Sequence, residues 1–170
     1  MARIYSFPPT ADVNAKILIL GSMPGRASLA ADESYAHPQN SFWRIMSHLL
    51  QFDASCPYPA RIQAIESARV AIWDVLHSCV REGSLDSSIE RDTLMANDFR
   101  SFFATHKQIT HVFFNGAKAE SLFKKYVLGG IDTSTLSLKR LPSTSPANAS
   151  ATFANKLKEW EQILAALKAV

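Results

Sequence analysis

Cysteine is scarce in this 170-residue chain: Cys56 and Cys79 are its two, and they form no Cys-x-x-Cys pair. That excludes a zinc ribbon and a four-cysteine iron–sulfur centre, and two free thiols fit a reducing cytoplasm. Glycine is thin as well, at six residues. None builds a Gly-x-Gly-x-x-Gly fingerprint or a Walker phosphate loop. A Gly-x-Ser-x-Gly elbow and a His-Glu-x-x-His helix are also missing. No apolar run approaches the roughly 18 residues of a membrane helix, and the first nine residues have no apolar signal core. Neither a membrane span nor secretion is expected. Charged residues make up 19% with a net charge of +3, which excludes a histone-like coat yet permits contact with an acidic polymer. What is abundant is apolar material, 47% of the chain. That suffices for a core, and the length predicts one domain over 1–170. No motif asks for a metal or another cofactor.

Short apolar runs closed by Gly, Asp or Asn read as strands buried on both faces. They are 16–21, 70–73 and 111–114, with a weaker fourth at 138–141. Helical patterns fall between them. Phe42, Ile45, Met46, Leu49 and Leu50 recur at offsets 0, 3, 4, 7 and 8 behind a polar cap. Helices are also expected over 59–68, 97–105 and 117–127, and one long helix from Phe153 to Leu167. Residues 1–14 read as an irregular leader and 78–97 as a long polar connection. Strand alternating with helix implies an α/β fold with a parallel sheet covered on both sides. In such sheets ligands sit beyond the carboxyl ends of the strands. The segments 21–40, 74–86, 115–118 and 142–148 are therefore where a site is expected.

Each holds groups suited to a ligand, and each has a plainer reading. Gly21-Ser22-Met23-Pro24-Gly25 is a tight turn whose N–H groups can face an anion or a water, or simply end a strand. Tyr35 can stack on a planar ligand. Asn40 can orient a water through its side-chain carbonyl, or cap the following helix together with Ser41. His37, before Pro38, reads as a loop residue held by a backbone hydrogen bond. Asp74 and Asn115 end strands where a ligand can meet them, or serve as turn formers. Ser143, Thr144, Ser145, Pro146, Ala147 and Asn148 can grip a phosphate before the last helix, or form an irregular cap.

Taken in order, Gly21 to Gly25, the block Tyr35-Ala36-His37-Pro38-Gln39-Asn40-Ser41-Phe42-Trp43, and Leu141 to Pro146 resemble the uracil-DNA glycosylase superfamily. The first two blocks are similar to its mismatch-specific branch, and the Gly-Ser-Met-Pro-Gly form to its hypoxanthine-DNA (deoxyinosine) glycosylase branch. The resemblance implies a three-layer α/β/α sandwich around a four-stranded parallel sheet. It also implies excision of a flipped, deaminated base from double- or single-stranded DNA by a monomeric cytoplasmic repair enzyme. On that resemblance Asn40, with Ser22 and Met23 at the water-activating position, is expected to be catalytic. Tyr35, Asp74 and Asn115 are expected to hold the base. Gly21, Pro24, Gly25 and Ser143 to Asn148 are expected to meet DNA.

The chain departs from the family at two points. Ser22 or Met23 stands where an Asp or Asn activates water, and Ser143 stands where motif two opens with His or Asn. Both departures move the expected substrate from uracil to hypoxanthine. The base offers an N1–H donor beside an O6 acceptor, and an ionised Asp74 would accept from N1–H and repel adenine. Arg26, Lys118, Lys139, Arg140 and Lys156 are candidates for phosphate contact. A mismatch-specific uracil enzyme, a non-catalytic DNA binder of this fold and an enzyme of free nucleosides are the alternatives.

Overall fold

The computed structural model describes residues 2–169. In chain order its elements are β1 (Ile4–Tyr5), β2 (Ile17–Gly21), α1 (Arg26–Ala31), α2 (Phe42–Leu50), α3 (Tyr58–Ser67), β3 (Val70–Asp74) and β4 (Leu76–Cys79). They continue with β5 (Met95–Ala96), α4 (Phe99–Thr105), β6 (His111–Asn115), α5 (Ala117–Tyr126), β7 (Ser137–Leu141), α6 (Phe153–Trp160) and α7 (Gln162–Lys168). The four strands expected from the apolar runs form one sheet in the order β3-β2-β6-β7, with every pair parallel.

Period-two alternation divides β2 between two cores. Ile17 and Ile19 pack with Phe42, Trp43, Met46, Ile65, Trp160 and Ile163, from α2, α3, α6 and α7. Leu18 and Leu20 pack on the other face with Phe99, Phe102, Leu122 and Phe123, from α4 and α5. The result is the expected three-layer α/β/α sandwich. β7 is an edge strand, and Lys139 and Arg140 lie exposed along it. Charge on an open edge discourages pairing with another chain. No helix among the described residues is long and apolar enough to cross a membrane.

Four expectations are corrected. The leader is not wholly irregular: β1 pairs antiparallel with β4, and Thr10 exchanges both backbone hydrogen bonds with Ile72, closing the β3 edge. The connection after residue 78 contains part of β4 and all of β5, which complete a small antiparallel sheet in the order β1-β4-β5. A short helix, α1, lies inside the first loop segment. The last helix is broken at Glu161 into α6 and α7. Trp160 is pinned there by an indole N–H donated to the Pro142 carbonyl at 2.9 Å, and Ile163 is buried beyond the break.

Register brings the strand ends level. Gly21 stands opposite Asp74, and Asn115 opposite Leu141. Gly116 turns the chain from β6 into α5 at φ +97°, a conformation that favours glycine, and a Cβ there would lie 2.9 Å from the Ser143 Cβ. Gly116→Ala is therefore expected to destabilise the fold by about 2 kcal/mol through backbone strain and displacement of the Ser143 turn. Urea unfolding compared with wild type checks it.

Candidate active site

The turns that follow β2, β3, β6 and β7 surround one cavity of about 810 Å³ at the carboxyl edge of the sheet. Small-ligand sites run roughly 300–1,000 Å³. Its wall includes Gly21, Ser22, Tyr35, Asn40, Asp74, Asn115 and the loop 143–148. Asn40 and Ser143, 103 residues apart in sequence, thus share one cleft.

Asn40 sits just before α2, and its Oδ1 accepts from the Phe42 N–H at 3.0 Å. The capping role and the site role are therefore combined. The bond fixes which way the amide faces and leaves Oδ1 a second lone pair. The Tyr35 ring is stacked on Phe42, with centroids 3.9 Å apart and planes 14° from parallel, so one face is already covered. Tyr35 holds φ +57°. His37 accepts the Gln39 N–H on Nδ1, the loop role expected of it.

Asp74 lies on the floor. A Cβ added to Gly21 would come within 2.6 Å of Asp74 Oδ1 and 3.2 Å of the Tyr35 hydroxyl, so glycine is what lets the three meet. Burial, and then the neighbouring Asp86 charge, push the Asp74 carboxyl up to about 7, against a pull from Arg81. Burial and the Asp74 charge likewise push the Tyr35 hydroxyl up. Near neutral pH Asp74 is thus partly protonated, rather than the fully ionised carboxylate expected.

Asn115 acts largely as a strut. Its Oδ1 accepts the Thr144 N–H at 2.9 Å and its Nδ2 donates to Thr144 Oγ1 at 3.0 Å. The Thr144 carbonyl accepts the Ser41 N–H at 3.0 Å. Thr144 is buried, which takes its side chain out of reach of a DNA backbone. Ser143 and Asn148 brace the same loop: the Ser145 N–H donates to Ser143 Oγ, and Asn148 Nδ2 to the Ser143 carbonyl.

A family model described as the uracil DNA glycosylase superfamily matches residues 8–168. The chain belongs to that superfamily. It is 34% identical over 158 residues to a hypoxanthine DNA glycosylase of Methanosarcina acetivorans, covering 92% of this chain and 95% of that one. It is 36% identical over 114 residues to a hypoxanthine DNA glycosylase of Methanosarcina barkeri, covering 66% and 71%. The solution NMR structure of a Methanosarcina acetivorans protein, provisionally described as a uracil DNA glycosylase, superposes with a TM-score of 0.79. It is 32% identical and covers 98% of this chain and 99% of that one.

Three candidate residues are buried. Met23 touches the cavity wall but is packed into the core, and a thioether cannot move a proton. Pro24 is buried outside the cavity wall, and its carbonyl accepts from Arg81 Nη2. Lys156 is buried too, which takes it from the phosphate candidates. Arg26 and Arg140 do reach the cavity wall.

The expected segment 74–86 does reach the cavity, but Ser84 and Asp86 within it were not singled out; with Leu85 and Ser87 they form the facing wall. Asp86 accepts a hydrogen bond from Ser22 Oγ at 2.7 Å, and Ser84 Oγ accepts the Arg26 N–H at 2.8 Å. The buried Arg81 ties this loop to the first turn, donating to the Gly83 and Pro24 carbonyls. The one available signal was the length of the polar connection itself.

The raised Asp74 group sets a pH dependence of stability. The unfolded carboxyl ionises near 4 and the folded one near 7, so the native state loses stability as pH rises between them. Asp74→Asn removes that loss. The variant should gain on the order of 2 kcal/mol over wild type at pH 8, after allowing for water in the half-open cavity, and almost nothing at pH 4. Denaturant unfolding at the two pH values tests the sign.

Proposed function

We propose that this protein is a DNA-deoxyinosine glycosylase that hydrolyses the N-glycosidic bond of a flipped hypoxanthine nucleotide. The observation that carries the reading is the sharing of one cavity by Asn40, Asp74 and the 143–148 loop, in a member of this superfamily. Two relatives named hypoxanthine DNA glycosylases support the choice of base. The protein acts as a cytoplasmic monomer with one catalytic domain over 1–170. Its substrate is duplex or single-stranded DNA containing a deaminated base.

The chemistry follows from the transition state. As the base departs, the deoxyribose gains oxocarbenium character, and the site must place a water while easing charge onto the base. Asn40 has no useful pKa, so it orients the water with the lone pair that Phe42 leaves free. Tyr35 presents the ring surface left uncovered by Phe42 to the base. The ionised form of Asp74 accepts from N1–H and rejects adenine, whose N1 is an acceptor. A site built on such a bond discriminates by up to ~10⁴–10⁵. Uracil presents the same donor–acceptor order through N3–H and O4, so cavity size is what sets it apart. No lysine lines the cavity among the described residues, so a Schiff base at C1′ has no amine to form it. The reading is a monofunctional hydrolase that leaves an abasic site.

Incubation with an inosine-containing duplex, followed by hot alkali, should break the strand at the inosine. Asn40→Ala should slow excision by about a hundredfold or more, the scale of losing one preorganised polar contact to the transition state. Asp74→Asn should weaken hypoxanthine excision. Tight duplex binding without breaks would instead mark a non-catalytic binder, and turnover of free deoxyinosine alone a nucleoside enzyme.

A further inference from the structure

Hydrolysis requires a proton acceptor for the attacking water, and Asn40 cannot be one. Four side chains on the cavity wall carry an imidazole or carboxyl group: His37, Asp74, Asp86 and Glu159. His37 and Glu159 are exposed, and each already accepts a hydrogen bond from a near neighbour in sequence, the Gln39 N–H and the Gln162 side-chain Nε2. Asp74 stands on the floor against Gly21 and the Tyr35 hydroxyl, where the base edge must go. Asp86 remains. It is half-buried, belongs to a different wall, and is held by a short bond from Ser22 Oγ that leaves its second oxygen unengaged.

We propose that Asp86, oriented by Ser22, accepts the proton of the attacking water. The inference rests on the glycosylase reading and adds its missing base. The C1′–N9 bond breaks with its electron pair leaving on the base. The water oxygen bonds to C1′, and the water's proton passes to the Asp86 carboxylate and on to solvent. The departing base regains a proton from solvent, so the net change is addition of one water. Ser22 is a positioning residue: its hydroxyl donates to the carboxylate and does not touch the sugar.

The electrostatics agree with this division. The Asp86 charge raises Asp74, and the two settings differ. Burial pushes the Asp86 carboxyl up, while the Ser22 hydrogen bond and the Arg81 and Lys118 charges all favour its ionised form. Of these, Arg81 alone relieves Asp74. Asp86 thus has more neighbours favouring its charge than Asp74 has, which suits it to serve as the base. Cys79 is buried nearby and feels both Asp86 and Arg81.

The decisive measurement is single-turnover excision from the inosine duplex by wild type and Asp86→Asn, with duplex affinity measured beside it. Asparagine can keep the Ser22 hydrogen bond while losing basicity. A fall of about a hundredfold or more in rate with unchanged affinity supports the inference, on the usual scale of general-base catalysis. A rate within twofold of wild type, or a loss of affinity that accounts for the fall, overturns it. Inactive wild type would sink the glycosylase reading instead, so the two failures are distinguishable. Ser22→Ala, made in an Asp74→Asn background so that the second carboxyl no longer titrates, supplies an independent readout. Loss of the Ser22 donor should move the acid limb of the rate profile to higher pH, and an unmoved limb counts against Asp86.

Discussion

Thr144 is the residue through which the two halves of the site are joined. Its amide and hydroxyl meet the Asn115 side chain at the end of β6, and its carbonyl meets the Ser41 N–H at the start of α2. Each such bond contributes about 1 kcal/mol net. The larger constraint is the cost of leaving any of these partners unmet, because Thr144 and Ser41 are buried. The first motif, the end of β6 and the 143–148 loop therefore cannot separate independently. That is why Asn40 and Ser143 face one cavity although the chain between them runs through most of the fold. A positioned water needs fixed walls, and this buried cluster supplies the fixing without itself entering the chemistry.

How much of this was visible in the sequence depends on the kind of information each feature needs. β2, β3 and β6 were legible because doubly buried strands are written as continuous apolar runs, and α2 because its offsets repeat a helical face. β7 read weakly for a physical reason: an edge strand keeps one side in water, so Lys139 and Arg140 interrupt its pattern. β1 and β5 are two residues long and exist only because β4 lies between them. The break at Glu161 has no Gly or Pro to announce it, since Trp160 and Ile163 settle it by where they pack.

The site was legible to the extent that position along the chain implied position in space. Strand ends had to converge, so Asp74, Asn115 and the flanking turns were placed correctly. Side-chain direction was another matter. Met23 and Thr144 touch the cavity wall yet are almost wholly buried, and no spacing rule distinguishes such a residue from one free to meet a ligand. Asp86 was harder still. It meets Ser22 across 64 residues through a connection whose residues follow no regular period, so its role emerges only after β4 has folded back beside the sheet.

The arrangement of charge favours a polymer over a free nucleotide as the guest. Three carboxyls line the cavity, Asp74, Asp86 and the exposed Glu159, while Arg26 and Arg140 are the guanidinium groups on its wall. Arg140 is already half-satisfied by Glu120 at 3.7 Å, which suits a modest contact better than capture of a dianion. A terminal phosphate drawn inside would meet carboxylate repulsion in a partly dry space, where such terms are least screened. A neutral base entering alone, with its phosphates kept on the DNA backbone outside, avoids that cost and places the sugar between the two regions. There the carboxylates oppose nothing on the incoming group. On the proposed reading a carboxylate beside the sugar gains most when the sugar turns cationic, the moment at which stabilisation becomes catalysis rather than binding.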